Sequence, residues 1–215
     1  VPVARARIVE AGCGAARLAR SLVERHPQAQ VVGIDVDARQ LARNLTEPIP
    51  CLRFERAGAQ AMPFDDASFD GALMLKSLHH VPADLMDRAL SEVARVLVPG
   101  GWLYVSEPVY GGALNEIMRL FNDEGHVRAA AQAALDRAIA AGGGWVEVTQ
   151  RRFDMPVHFT SFEAFEQQAM RPSFADHGID DAMAQRVRER FSPYLGPGGA
   201  SFTRPMHVRL LRKAR

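Results

Sequence analysis

Short apolar runs alternate along the first half of the chain with segments whose apolar residues recur every three or four positions. Arg7 to Ala11, Val31 to Ile34, Leu52 to Ala57, Phe69 to Leu75 and Trp102 to Ser106 have the length and composition of strands. Between them, Ala15 to Arg25 sets Leu18, Leu22 and Val23 on one side, and Ala38 to Asn44 predicts a shorter helix. Pro82 to Leu97 predicts a third, with Leu85, Ala89, Val93 and Val96 on one face, and Pro99-Gly100-Gly101 breaks it. Strands that are apolar almost throughout are covered on both faces, and strand–helix alternation makes them parallel. With right-handed crossovers the expectation is a doubly wound, Rossmann-like α/β fold.

The second half follows a different pattern. Ala113 to Phe121 and Val127 to Ala141 are Ala-rich helices, closed by Gly142-Gly143-Gly144. Val146 to Phe159 is strand-like, and Pro156 argues that it lies at an edge, where a missing N–H costs nothing. Ser161 is the expected cap of a helix to Met170, Asp180 to Arg190 is another helix, and Met206 to Leu211 is a closing strand. The whole of 1–215 reads as one domain. Val109 to Gly144 is expected to be a helical cap inserted after the fifth strand, free to pivot as a lid on Gly111-Gly112 and Gly142-Gly143-Gly144. Phe153, Phe159, Phe162 and Phe165 are expected in the core.

Charge and composition add mainly exclusions. A net charge of +1 gives no reason to expect a nucleic acid or another polyanion. Apolar runs such as Ala72-Leu73-Met74-Leu75 are too short to span a bilayer, and no secretory pattern opens the chain, so the expected compartment is the cytoplasm. Cys13 and Cys51 make no disulfide framework. The chain opens on Val1 and enters its first strand almost at once, which reads as a processed or truncated start.

The candidate chemistry lies at the strand ends. Glu10-Ala11-Gly12-Cys13-Gly14 closes the first strand. Glycines there permit close backbone approach, and the following helix start offers unpaired N–H groups to a carboxylate. Glu10 can attract an ammonium group, so this turn suits both ends of an amino-acid zwitterion. Asp35, at the tip of the second strand, can accept hydrogen bonds from both hydroxyls of a ribose, or can cap the next helix in competition with Asp37. Together they point to a nucleoside-containing cofactor. A dinucleotide is disfavoured: Arg17 stands where its fingerprint needs a small residue, and Glu10 is ill placed beside a pyrophosphate.

With these residues in hand, the sequence resembles the class I S-adenosylmethionine-dependent methyltransferases of the small-molecule branch, over roughly residues 7 to 108. The blocks run in order: Ile8-Val9-Glu10-Ala11-Gly12-Cys13-Gly14, Val32-Gly33-Ile34-Asp35, Ala59-Gln60-Ala61-Met62-Pro63-Phe64, Ser68-Phe69-Asp70 and Ser77-Leu78-His79-His80-Val81. A sixth spans Glu92 to Gly101. The resemblance implies S-adenosyl-L-methionine as cofactor and a seven-stranded sheet, mostly parallel with an antiparallel last strand. It implies that Glu10, Ala11, Gly12 and Gly14 hold the methionine moiety and Asp35 the ribose, with Val36 against an adenine face. Ala59 and Gln60 would meet the adenine edge, and Lys76 and Ser77 would pass near the methionine amine and sulfonium.

Two departures accompany the resemblance. Gly58 stands where the family usually has an Asp that accepts from the adenine amino group, and the helices that usually precede the first strand are absent. The expected reaction is methyl transfer to a small-molecule acceptor, with His80 and Glu107 as the candidate catalytic groups facing it. No metal is expected, because adjacent His79 and His80 diverge and lack a ligand spacing. A non-catalytic cofactor-binding or interaction module, and less favourably a nicotinamide-dependent oxidoreductase, are the alternatives.

Overall fold

A computed structural model describes residues 1–140, 144–171 and 177–214. Ala141, Gly142 and Gly143 fall outside the described residues, and with them most of the expected second hinge. The elements are β1 (Arg7–Ala11), α1 (Arg17–Arg25), β2 (Gln30–Asp35), α2 (Ala38–Leu45), β3 (Leu52–Arg56), β4 (Phe69–Leu75), α3 (Met86–Val96) and β5 (Leu97–Pro108). They continue with α4 (Ala113–Met118), α5 (Gly125–Ala140), β6 (Trp145–Phe159), α6 (Phe162–Phe165), α7 (Asp181–Phe191), β7 (Leu195–Gly196) and β8 (Gly199–Lys213).

Two compact units result. The first comprises Val1–Glu107, Ala130–Arg151 and Val208–Arg215; the second comprises Pro108–Ala129 and Arg152–His207. This grouping cuts through the segment Val109 to Gly144, whose residues from 130 onward cluster with the first unit.

The strand order is β3-β2-β1-β4-β5-β8-β6, with β1 to β5 parallel and the C-terminal strand antiparallel. The two-residue β7 pairs with β8 as an eighth strand, one more than the seven expected. Pro156 does lie on an edge strand, since β6 ends the order. Val9, Ala11, Val32, Ile34, Ala72 and Met74 pack on one face with α3 residues Met86, Ala89, Leu90, Val93 and Val96. Ile8, Val31 and Leu73 pack on the other with Ala19 and Val23 of α1. This two-sided cover is why the central strands carry so few polar residues.

Two boundaries differ from expectation for backbone reasons. Helix α1 starts at Arg17 rather than Ala15, because Gly14 and Ala16 take left-handed φ values of 49° and 52° that no helix tolerates. Pro99-Gly100-Gly101 does not end the ordered segment. It lies within β5, where the pairing with β4 jumps from Phe69↔Leu97 to Gly71↔Trp102 and Gly100 supplies a φ of 76°.

The second unit has its own core: Phe159, Phe162, Phe165, Phe191 and Phe202, with Leu114, Ile117, Met170 and Val187. Phe159 meets Phe165 edge-on, centroids 5.1 Å apart at 88°. Phe153 is 41% exposed and is not part of a core. Phe165 is fully buried, so Phe165→Ala should cost about 3–5 kcal/mol. Chemical denaturation followed by a probe in this unit measures it, and an unchanged midpoint would remove Phe165 from the core.

Candidate active site

The strand order reverses between β1 and β4, and ligands of open α/β sheets bind beyond the carboxyl ends of strands at such a point. Two turns meet there. The first runs from Ala11 to Ala16. Its Gly12 and Cys13 N–H groups both donate to the Ile34 carbonyl, at 2.9 and 3.0 Å, and its Gly14 N–H donates to Asp35 Oδ2 at 2.8 Å. Asn44, buried on α2, donates from Nδ2 to the Gly14 carbonyl at 2.7 Å. Asn44 escaped the sequence reading. Its one signal is a polar residue three positions after Leu41 on the face that α2 buries.

The second turn follows β4. Ser77 Oγ donates to the Ala11 carbonyl at 2.7 Å. Glu107, at the end of β5 and 1% exposed, accepts at Oε1 from the Ser77 and Leu78 N–H groups at 3.0 and 2.9 Å. Its Oε2 lies 2.5 Å from His79 Nδ1. Thus buried His79 is the histidine bonded to Glu107. His80 is exposed, its ring 4.1 Å from that of His79 between centroids.

The glycines of the first turn have different reasons. A β-carbon on Gly12 would lie 2.5 Å from Ser77 Cβ, so the close approach there is between the two turns of the protein. A β-carbon on Gly14 would meet nothing within 4 Å. The turn is therefore tight at Gly12 and open at Gly14.

Glu10 is 4% exposed and accepts at Oε2 from the Ala19 N–H of α1 at 3.1 Å. Burial pushes its carboxyl up to about 7; the Ala19 N–H opposes the shift and the charge of Asp35 adds to it. The neighbouring Cys13 thiol is pushed up to about 12, first by burial and then by Glu10 and Asp35. A thiol so held is not a nucleophile near neutral pH. Asp35 Oδ1 accepts from the Asp37 N–H at 3.0 Å, while Asp37 caps α2 through the Arg39 and Gln40 N–H groups. Capping therefore falls to Asp37, and Asp35 stays at the strand tip, half-buried. Val36 beside it is 64% exposed.

The loop from Gly58 to Asp66 is fastened by α3. Glu92 accepts from the Met62 N–H at 3.1 Å, and Arg95 donates to the Met62 and Phe64 carbonyls at 3.0 and 2.7 Å. The Glu92 to Gly101 block thus has a structural meaning that its sequence did not announce. The Gln60 amide lies within 2.9 Å of where a β-carbon on Gly58 would sit, so Gln60 fills the space a longer residue at 58 would enter.

A cleft of about 470 Å³ also exists in this unit, lined by Arg7, Gln30, Cys51, Arg53, Phe64 and Phe69 among others. These residues mark the amino ends of the strands, the wrong edge of the sheet for a ligand of this fold, and Arg7 is already paired with Asp70.

The site therefore offers a buried acid at one strand tip, an open glycine turn beside it and a second carboxylate on the neighbouring strand. Residues 8–101 match the model of the methyltransferase domain family. Demethylmenaquinone methyltransferase of Thermus thermophilus is 38% identical over 120 residues, covering 54% of this chain and 54% of that protein. The YcgJ protein of Bacillus subtilis superposes with a TM-score of 0.68 at 17% identity, covering 98% of this chain and 92% of that one. An S-adenosylmethionine-dependent methyltransferase from Methanosarcina mazei superposes with a TM-score of 0.64 at 16% identity, covering 100% and 94%. The family match covers somewhat less than half of the chain, and these structural neighbours share its fold. The chain spans about half the length, or less, of the curated relatives it matches.

Two outcomes follow. Gly12→Ala forces the two turns apart and should lower both stability and S-adenosylhomocysteine affinity, whereas Gly14→Ala should lose affinity at a stability cost of only about 1–2 kcal/mol. Calorimetric titration with thermal melts separates them, and identical behaviour of the two variants would refute the distinction. Second, burial raises the Glu10 carboxyl from its ordinary 4.5 to about 7. Its folded value is raised, so it favours the fold below pH 4.5 and that contribution is lost as pH rises through 7. Glu10→Gln keeps an oxygen for Ala19 and should stabilise the ligand-free protein above pH 7 by up to about 3 kcal/mol. Melts from pH 5 to 8 test this; parallel curves for parent and variant would deny the buried titration.

Proposed function

We propose that this chain transfers a methyl group from S-adenosyl-L-methionine to a small organic acceptor. The observation that carries the reading is the convergence, at the sheet's switch point, of buried Glu10, the turn left open at Gly14 and Asp35 on the next strand tip. When bound, the cofactor supplies a sulfonium methyl already activated for in-line displacement.

Glu10 and the backbone of Ala11, Gly12 and Gly14 hold the zwitterionic end, where an ammonium would favour the ionised form of Glu10. Lys76 and Ser77 border the same end from the second turn. Both Asp35 oxygens already accept a backbone N–H, and each retains a lone pair for a ribose hydroxyl. Exposed Val36 supplies an apolar surface for one adenine face. Gly58, Ala59 and Gln60 border the base edge, with the Gln60 carbonyl oxygen in place of the carboxylate usual at position 58 in the resembling family.

Glu107 is fully engaged with Ser77, Leu78 and His79, so we assign it to positioning the second turn, and keep exposed His80 as the candidate group toward the acceptor. Rate enhancement would come mainly from positioning and exclusion of water. No described helix is long and apolar enough to cross a membrane. The free thiols of Cys13 and Cys51 fit the reducing cytoplasm as the place of work.

Titration with S-adenosylhomocysteine and with NAD tests the reading: the first should bind and the second should not. Asp35→Ala should weaken S-adenosylhomocysteine binding by at least about 1.5–3 kcal/mol, roughly ten- to a hundred-fold. Equal affinity in a folded variant would remove Asp35 from the site. Loss of all S-adenosylhomocysteine binding in the parent would overturn the function.

A further inference from the structure

The second unit, taken by itself, holds a charge arrangement that methyl transfer does not use. Arg128 on α5 is 6% exposed and well neutralised. Its Nε and Nη2 donate to Glu124 Oε2 at 3.1 and 2.6 Å, and its Nη1 donates to Asn115 Oδ1 at 2.7 Å. Arg204 on β8 is different. It is half-buried beside Arg128, and no hydrogen bond or ion pair ties it to another described residue. Burial first, and then the charge of Arg128, hold its guanidinium below the usual arginine range; Glu124 opposes this weakly.

Asn115 is 7% exposed and, with its Oδ1 committed to Arg128, has an Nδ2 with no hydrogen-bond partner. Asn115, Arg128 and Arg204 line one cavity of about 10 Å³, alongside the apolar side chains of Leu114 and Met118. That volume admits a single water-sized group. A water would satisfy the Asn115 amide and leave the Arg204 charge uncompensated in a desolvated place. An anion satisfies both, and one negative charge balances the sum of Arg128, Glu124 and Arg204.

We propose that this cavity is an anion site, taking one oxygen of a carboxylate-like monoanion, held by Arg204 and Asn115 Nδ2. Its occupant is either the carboxylate end of a small organic molecule, whose chain would lie along Leu114 and Met118, or a free inorganic anion.

The test is the thermal midpoint of the full chain titrated with sodium acetate, butanoate, hexanoate, nitrate and chloride, and with neutral acetamide. In the parent, acetate should raise the midpoint saturably by about 2–4 °C. Arg204→Met should lose that rise and, without added anion, melt no lower than the parent, since a cation facing another cation is gone. Asn115→Asp supplies a carboxylate from within. It should raise the midpoint in anion-free buffer and abolish the response to acetate. Because general salt effects act on parent and variants alike, the difference between them reads the site. Stronger responses to butanoate and hexanoate than to nitrate or chloride identify an organic carboxylate; equal responses identify a free ion. The inference fails if the parent shows no saturable response, if acetamide matches acetate, or if Arg204→Met responds as the parent does. Should Arg204→Met not fold, an undiminished acetate response in Asn115→Asp overturns it alone.

Discussion

One buried carboxylate joins the two turns on which the candidate active site rests. Glu107 holds the Ser77 and Leu78 N–H groups and the His79 ring, and Ser77 in turn ties to the carbonyl of Ala11. Hydrogen bonds of this kind contribute roughly 0.5–1.5 kcal/mol each, and leaving a buried donor or acceptor without its partner costs more than the bond itself. The tight contact at Gly12, the opening at Gly14 and the course of the chain past Lys76 all follow from this fastening.

Glu10 shows the opposite economy. It sits where an isolated acid is costly, supported by one N–H and opposed by the charge of Asp35. A group of this kind lowers the stability of the ligand-free fold near neutral pH and regains the deficit only when a cation arrives. A neutral amide at this position would remove that cost.

The second unit keeps its own aromatic core. Likeness to solved structures at 16–17% identity establishes the fold over nearly the whole chain. A fold of this breadth serves many reactions, and the acceptor has to be argued from side chains.

The strands, their parallel order and the strand-end positions of Glu10, Gly12, Asp35 and Val36 were legible in the sequence. Buried parallel strands leave unbroken apolar runs, and strand-tip chemistry depends on local spacing. Helix starts and the course of β5 were less legible, because left-handed Ala16 and the bulge at Gly100 are set by what the backbone must pair with. Partnerships across long sequence distances were not legible at all. Asn44 with Gly14, Arg95 with Phe64, Glu107 with His79 rather than His80, and Asn115 with Arg128 each depend on where the packed elements bring two distant side chains. The sequence by itself determined which residues stand at the strand ends. The tertiary structure decided which of them are already spent on one another, since a hydrogen bond exists only once burial has removed water and brought donor to acceptor.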